Sequence, residues 1–152
     1  SNNKYFQTPK QVAANSRNDK VVRRGQFAYN KATTRNGEKI SIAYRDDVDC
    51  TVSSSYQVFQ IVNEEEWNPY YLMLWFNRPE FDRYARYRSY GSAHEYFEFE
   101  EMRSVCLPKP PIEVQRAIVE VFHCATQTKE LSAFANAQMS FISSQLVKHL
   151  IP

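Results

Sequence analysis

The feature that most constrains this chain is the proline run inside residues 104–121, SVCLPKPPIEVQRAIVEV. Pro108, Pro110 and Pro111 fix φ near about −65° and hold the chain extended. Pro111 also suits the first turn of a helix, where its missing N–H costs nothing. From Ile112 the pattern predicts one helix to about Leu150. The expected organisation is an aromatic-rich module over residues 1–107, a proline connector over 108–111 and a helical arm over 112–150. Such a layout suits a molecule that holds one surface at a set distance from another.

Along the arm, Val114, Ile118, Val121, Ala125, Thr128, Ser132, Ala135, Met139, Ile142 and Leu146 recur at alternating steps of four and three. That is a seam with a period of about 3.5 residues, as in a coiled coil. Its middle is built of small residues, which would let another helix approach closely. Phe122, Leu131, Phe134 and Phe141 form a second apolar strip. At about 1.5 Å per residue the arm outreaches the module, and an isolated helix draws most of its stability from packing. A partner helix is therefore expected on Val114, Ile118, Val121, Ala125, Met139, Ile142 and Leu146. It would come from a second copy or from another part of the same polypeptide. The alternative is an arm folded back over its own module.

The module reads as an α/β arrangement of the α+β kind, with a small mixed sheet. Val21-Val22 and Phe27–Tyr29 flank a turn at Arg24-Gly25. Residues 39–45 (KISIAYR) alternate with Ile40, Ile42 and Tyr44 on one face, which predicts a half-buried strand. Residues 51–62 predict a second β region, with Tyr56, Val58 and Gln60 on one side and Phe59 and Ile61 on the other, both sides partly covered. The period then changes. Asn68 as N-cap and Pro69 at the first position open a helix, and Pro79 opens the next, with Phe81, Tyr84 and Ala85 at helical spacing. Phe97, Phe99 and Met102 are expected core anchors, and residues 104–107 a last short strand.

Composition excludes several classes. The three glycines, Gly25, Gly37 and Gly91, are scattered among turns, so no glycine-rich loop exists to cradle a phosphate. No apolar run reaches the roughly 18 residues of a membrane helix, and no basic-then-apolar leader supports secretion. Cys50, Cys106 and Cys124 are odd in number and widely spaced. They predict neither a disulfide framework nor a zinc site, and read as packing residues in a reducing, cytoplasmic setting. Net charge is only +2, so a nucleic-acid surface would have to come from local clustering.

Two local clusters qualify. Residues 29–39 (YNKATTRNGEK) carry Lys31, Arg35 and Lys39 among Asn30, Thr33, Thr34 and Asn36. Cations neutralise phosphates, and amides and hydroxyls read base edges; the alternative is a solvated hairpin tip around Asn36-Gly37. Residues 83–96 (RYARYRSYGSAHEY) interleave Arg83, Arg86 and Arg88 with Tyr84, Tyr87 and Tyr90, before Ser92 and His94. Arginine forks and aromatic faces suit a nucleic-acid backbone; the alternative is a helix that buries Tyr84 and shows its arginines to water. Asn68-Pro69-Tyr70-Tyr71 is similar to the Asn-Pro-Pro-Tyr signature of adenine methyltransferases but lacks the second proline, and the N-cap explains it. His94 has no second His or Cys nearby, so no metal ligand set is expected.

The run from Phe76 to Val119, FNRPEFDRYARYRSYGSAHEYFEFEEMRSVCLPKPPIEVQRAIV, resembles the end of a target recognition domain in type I restriction–modification specificity subunits. Its hallmarks are Gly91-Ser92, a short acidic helix, LPKPP, and a helix start containing Gln115-Arg116. Residues 21–61 resemble the middle of the same domain. The resemblance implies two recognition domains per subunit, each reading one half of a split double-stranded DNA sequence. Between them, paired conserved helices set the spacer and dock the methyltransferase subunits. The subunit itself would be non-catalytic and would bind no cofactor. S-adenosylmethionine, ATP and magnesium are expected on partner subunits, which methylate adenine and, with a restriction and motor subunit, cleave DNA. One recognition domain and one helix are present here, so a fragment and a half-length subunit pairing with a second copy both remain open. Lys31, Arg35, Lys39, Arg86 and Arg88 are the expected phosphate or guanine contacts. Asn30, Thr33, Thr34, Asn36, Ser92 and His94 are the expected base readers, with Tyr90 beside them. Two other classes stay in view: a helix-mediated interaction module that never touches DNA, and a metal-dependent nuclease using the carboxylates of residues 64–66 or 98–101.

Overall fold

A computed structural model describes residues 19–33, 39–91 and 95–150, with side chains from 144 onward described only at Gln145. The order is β1 (Lys20–Val22), β2 (Gln26–Asn30), β3 (Ile42–Tyr44), β4 (Cys50–Val52), β5 (Tyr56–Gln60), α1 (Pro69–Phe76), α2 (Pro79–Tyr87), α3 (Phe99–Arg103) and α4 (Ile112–Leu150). The class is α+β. Among the described residues all strand pairing is antiparallel, in a β3-β2-β5 sheet and a separate β1-β4 pair.

The period of two in β2 explains the layering. Phe27 and Tyr29 point to one face, Ala28 to the other. On the first face they join Ile40, Ile42, Met73, Phe76, Phe81 and Phe97 in the main core, with Phe59 and Ile61 packed alongside. Phe27 is fully buried at the centre of an aromatic cluster: its ring lies 4.8 Å from Tyr44, 5.0 Å from Phe59 and 6.2 Å from Phe76. On the second face Ala28 meets Val22 and Val52 of the β1-β4 pair, with Tyr56 and Val58 beside them. The two faces expected of residues 56–61 are therefore both partly covered, with Gln60 at the strand end exposed. The expected β region over 51–62 is divided, because the turn at Ser53–Ser55 sends β4 and β5 to different sheets. Gly25 adopts a φ of 89° in the turn between β1 and β2, a conformation that a Cβ resists.

The helix starts follow their local signals. Asn68 Oδ1 accepts from the N–H of Tyr70 (2.9 Å) and Tyr71 (3.2 Å), with Pro69 in the first turn. Pro79 opens α2, and Phe81 and Ala85 are buried. Residues 104–107 correct the expectation of a strand. The segment joins no ladder: Ser104 caps α3, and Val105 and Leu107 pack onto the core by their side chains. Cysteine burial is corrected too. Cys106 projects away from the core between those two residues and Cys124 lies on the arm, both exposed, and only Cys50 is half-buried.

The arm is one continuous helix from Ile112, roughly 58 Å long at 1.5 Å per residue. Gln115 is its anchor. The side chain is fully buried; its Oε1 accepts from the Asn68 N–H (2.9 Å), and its Nε2 donates to the carbonyls of Glu66 (2.8 Å) and Pro110 (2.9 Å). Val119, one turn on, is buried, and His123, one turn further, sits edge-on to Tyr70 at 5.7 Å. The arm thus packs on α1 through its first three turns, and residues 127–143 are exposed.

Candidate nucleic-acid interface

The two clusters singled out in the sequence lie side by side. Asn30 ends β2, and its side chain accepts the Ala32 N–H at 3.1 Å, turning the chain into residues 31–33. Ala32 bridges Tyr96, and Tyr96 bridges Tyr90 on its other side. Around these bridges the Phe97 N–H donates to the Lys31 carbonyl (2.9 Å) and the Thr33 N–H to the Glu95 carbonyl (3.1 Å). Tyr90 and Tyr96 exchange N–H···O bonds of 3.2 and 3.0 Å. Residues 95–97 are therefore the middle rung between the first cluster and the second.

Side chains reinforce the joint. Thr33 is buried, with Oγ1 3.2 Å from both Ser89 Oγ and the Glu95 carbonyl. Its hydroxyl braces the two segments and does not face solvent, which departs from its expected role as a base reader. Tyr29 donates to the Phe97 carbonyl at 3.0 Å, fixing the rung to the core. Burial, and then the nearby Glu98 carboxylate, push the Tyr29 phenol well above its ordinary value, so this donor stays protonated. On the far side of the first loop, the Ile40 N–H donates to Asp82 of α2 at 3.0 Å. Residues 33 and 40 are both tied down by these bonds.

The cations of the two clusters differ in setting. Lys31 Nζ lies 3.2 Å from Glu98 Oε2. Arg88, the C-cap of α2, places Nε 2.5 Å from Glu101 Oε2. Lys39 and Arg86 are exposed, as is the aromatic face of Tyr90. Residues 83–87 have the geometry of a helix with Tyr84 half-buried and Arg83 and Arg86 outside, while residues 88–90 turn into the bridged segment. Thr34, Arg35, Asn36, Ser92 and His94 lie outside the described residues. Sequence reasoning missed Ser89, Glu95 and Tyr96, whose roles depend on contacts more than 50 residues away. It noticed Glu98 and Glu101 only as possible metal ligands. Instead, each carboxylate faces a cation of the clusters, Glu66 pairs with Lys109, and Glu100 with Arg103. Among the described residues no group of three acidic, histidine or cysteine side chains is placed to hold a metal ion.

The arm presents a second surface. Gln115, Val119 and His123 face the module, and the seam of Val114, Ile118, Val121 and Ala125 lies roughly 130° round the helix from them. These four are exposed, Val121 at 71%, and so are Met139 and Ile142 further along. The Leu146 side chain lies outside those described. The second strip is exposed as well, at Leu131, Phe134 and Phe141. No described helix is long and apolar enough to cross a membrane.

A family model described as type I restriction modification DNA specificity domain matches residues 3–138, spanning both clusters, the proline connector and most of the arm. No curated protein matches the chain.

Proposed function

The chain belongs to the type I restriction modification DNA specificity domain family, and from that premise we propose that it reads part of a double-stranded DNA sequence through the bridged pair of clusters. The observation that carries this reading is the shared rung at residues 95–97, which makes one continuous surface of two segments chosen separately for their chemistry. Lys39 and Arg86, with Arg35, serve the phosphates. Asn36, Ser92 and His94 read base edges, and Tyr90 offers an aromatic face. Asn30 and Thr33 brace residues 31–33 against the bridged segment. The chain performs no chemistry. It brings adenine methyltransferase subunits, which carry S-adenosylmethionine, to the DNA, and through them the ATP- and magnesium-dependent restriction and motor subunit, in the cytoplasm. The exposed seam from Val114 to Leu146 supports a second role, pairing with another conserved helix to set the distance between two half-sites. Charge reversal by Arg35→Glu tests the reading: duplex affinity at fixed salt should be abolished with the far-ultraviolet circular dichroism unchanged. Unchanged affinity would take that loop off the DNA.

A further inference from the structure

The short helix α3 contributes one carboxylate to each cluster. Glu98, at its N-terminal boundary, meets Lys31 of the first, and Glu101 meets Arg88 of the second. The two pairs differ in geometry. A lysine ammonium is a point charge with rotating donors, whereas a guanidinium is a rigid fork. Glu101 engages Arg88 at Nε, at 2.5 Å. Among the described residues the two terminal nitrogens hold no acceptor, and the Arg88 side chain is 43% exposed against 21% for Glu101. A carboxylate fixed at Nε removes rotamer freedom from the fork and aims its outer edge away from α3. Arg88 also immediately precedes Ser89, which Thr33 and the Ala85 carbonyl hold at 3.2 and 2.6 Å. Backbone and side chain are therefore both fixed.

We infer that Glu101 is a positioning residue that presents the outer edge of Arg88 for bidentate contact with a guanine in the major groove, the commonest specific arginine contact to DNA. Its charge has a second effect. It offsets the Arg88 cation locally, which lowers attraction to phosphates of any sequence and leaves discrimination to hydrogen-bond geometry. This deepens the DNA-reading proposal and rests on it.

The test is selection of the full chain on a pool of duplexes randomised over 20 base pairs, sequenced after enrichment, for wild type, Glu101→Gln and Arg88→Lys. The glutamine keeps the size and an acceptor but loses the charge. The lysine keeps the cation but loses the fork. Both variants should lose preference for guanine at one and the same position, by roughly 5- to 150-fold, with other positions unchanged. Glu101→Gln should also bind random duplex more tightly, with a salt slope steeper by about 0.9, while Arg88→Lys should not. A contribution of Glu101 to folding alone would instead weaken all positions together and lower the melting temperature. If Glu101→Gln proves unstable, Arg88→Lys still decides whether the fork reads a base. Wild type that enriches a sequence, with Glu101→Gln retaining the same preference at every position, overturns this inference and leaves the DNA reading standing. Wild type that enriches nothing overturns the DNA reading and the inference with it.

Discussion

Replacing Gln115 should loosen the joint between module and arm more than any exposed change on the helix. Its amide makes three hydrogen bonds, one accepted from Asn68 and two donated to Glu66 and Pro110, from a position with no solvent exposure. A net contribution of about 1 kcal/mol per bond gives about 3 kcal/mol for the set. Gln115→Leu fills most of the volume with an apolar group and excludes water, so one buried N–H and two carbonyls lose their partners. The expected cost is about 3–5 kcal/mol. Gln115→Ala admits water that recovers part of the bonding, and about 2–3 kcal/mol is expected. In a domain of this size each kcal/mol moves the melting temperature by about 2–4 °C. Thermal unfolding followed by circular dichroism should therefore show Gln115→Leu lower by roughly 6–20 °C, with Gln115→Ala between it and wild type. A Gln115→Leu protein melting within about 2 °C of wild type would refute the reasoning, since a buried amide network cannot be dispensable if it pins the helix.

Two further outcomes follow from the packing of α4. The Tyr70 phenol, which donates to Asp46 at 3.1 Å, is pushed up to about 12, chiefly by burial and then by the Asp46 charge. A raised value means that its stabilising share is complete below the ordinary value of 10 and lost as the pH rises towards 12. Denaturant midpoints measured from pH 8 to 12 should fall more steeply in wild type than in Tyr70→Phe, and parallel curves would exclude the contact as a source of alkaline sensitivity. Light scattering across a concentration series should show an assembly larger than a monomer that Ile118→Asp and Ile142→Asp dissociate. A wild-type monomer at all concentrations would mean that the seam awaits a helix from elsewhere.

Local chemistry was legible in the sequence, and distant pairing was not. Asn68-Pro69 and Pro79 announce their helices because caps and prolines act within one turn. The alternation of residues 39–45 assigns Ile40 and Ile42 to the main core, but the half-buried strand it predicts is covered on its other face as well, where Ser41, Ala43 and Arg45 are buried. The 39-residue length of α4 follows from a pattern free of internal proline and glycine. What escaped depended on contacts between remote segments. Residues 104–107 look like a strand because Val105 and Leu107 alternate, yet alternation reports side-chain burial and not backbone pairing. Gln115 reads as a polar residue at a helix start, and only the nearby Asn68 turn and proline connector reveal it as a buried clamp. The same holds for the site. Cations and amides are visible as composition, but the rung at 95–97 that unites them, and the two carboxylates of α3 that hold Lys31 and Arg88, required the chain to be folded.

The central claim is that the bridged clusters carry the DNA surface, and the salt dependence of duplex binding tests it most directly. Fluorescence anisotropy of a labelled duplex, titrated from about 50 to 200 mM salt, would compare wild type with Lys39→Glu, Arg86→Glu and, as a control on the exposed arm, Lys129→Glu. Affinity should fall steeply with salt in wild type. Each cluster variant should weaken binding and flatten the slope by about one, while the arm control matches wild type. A flat salt dependence, or cluster variants that bind as wild type does, would contradict the account and leave the helical arm as the interaction surface.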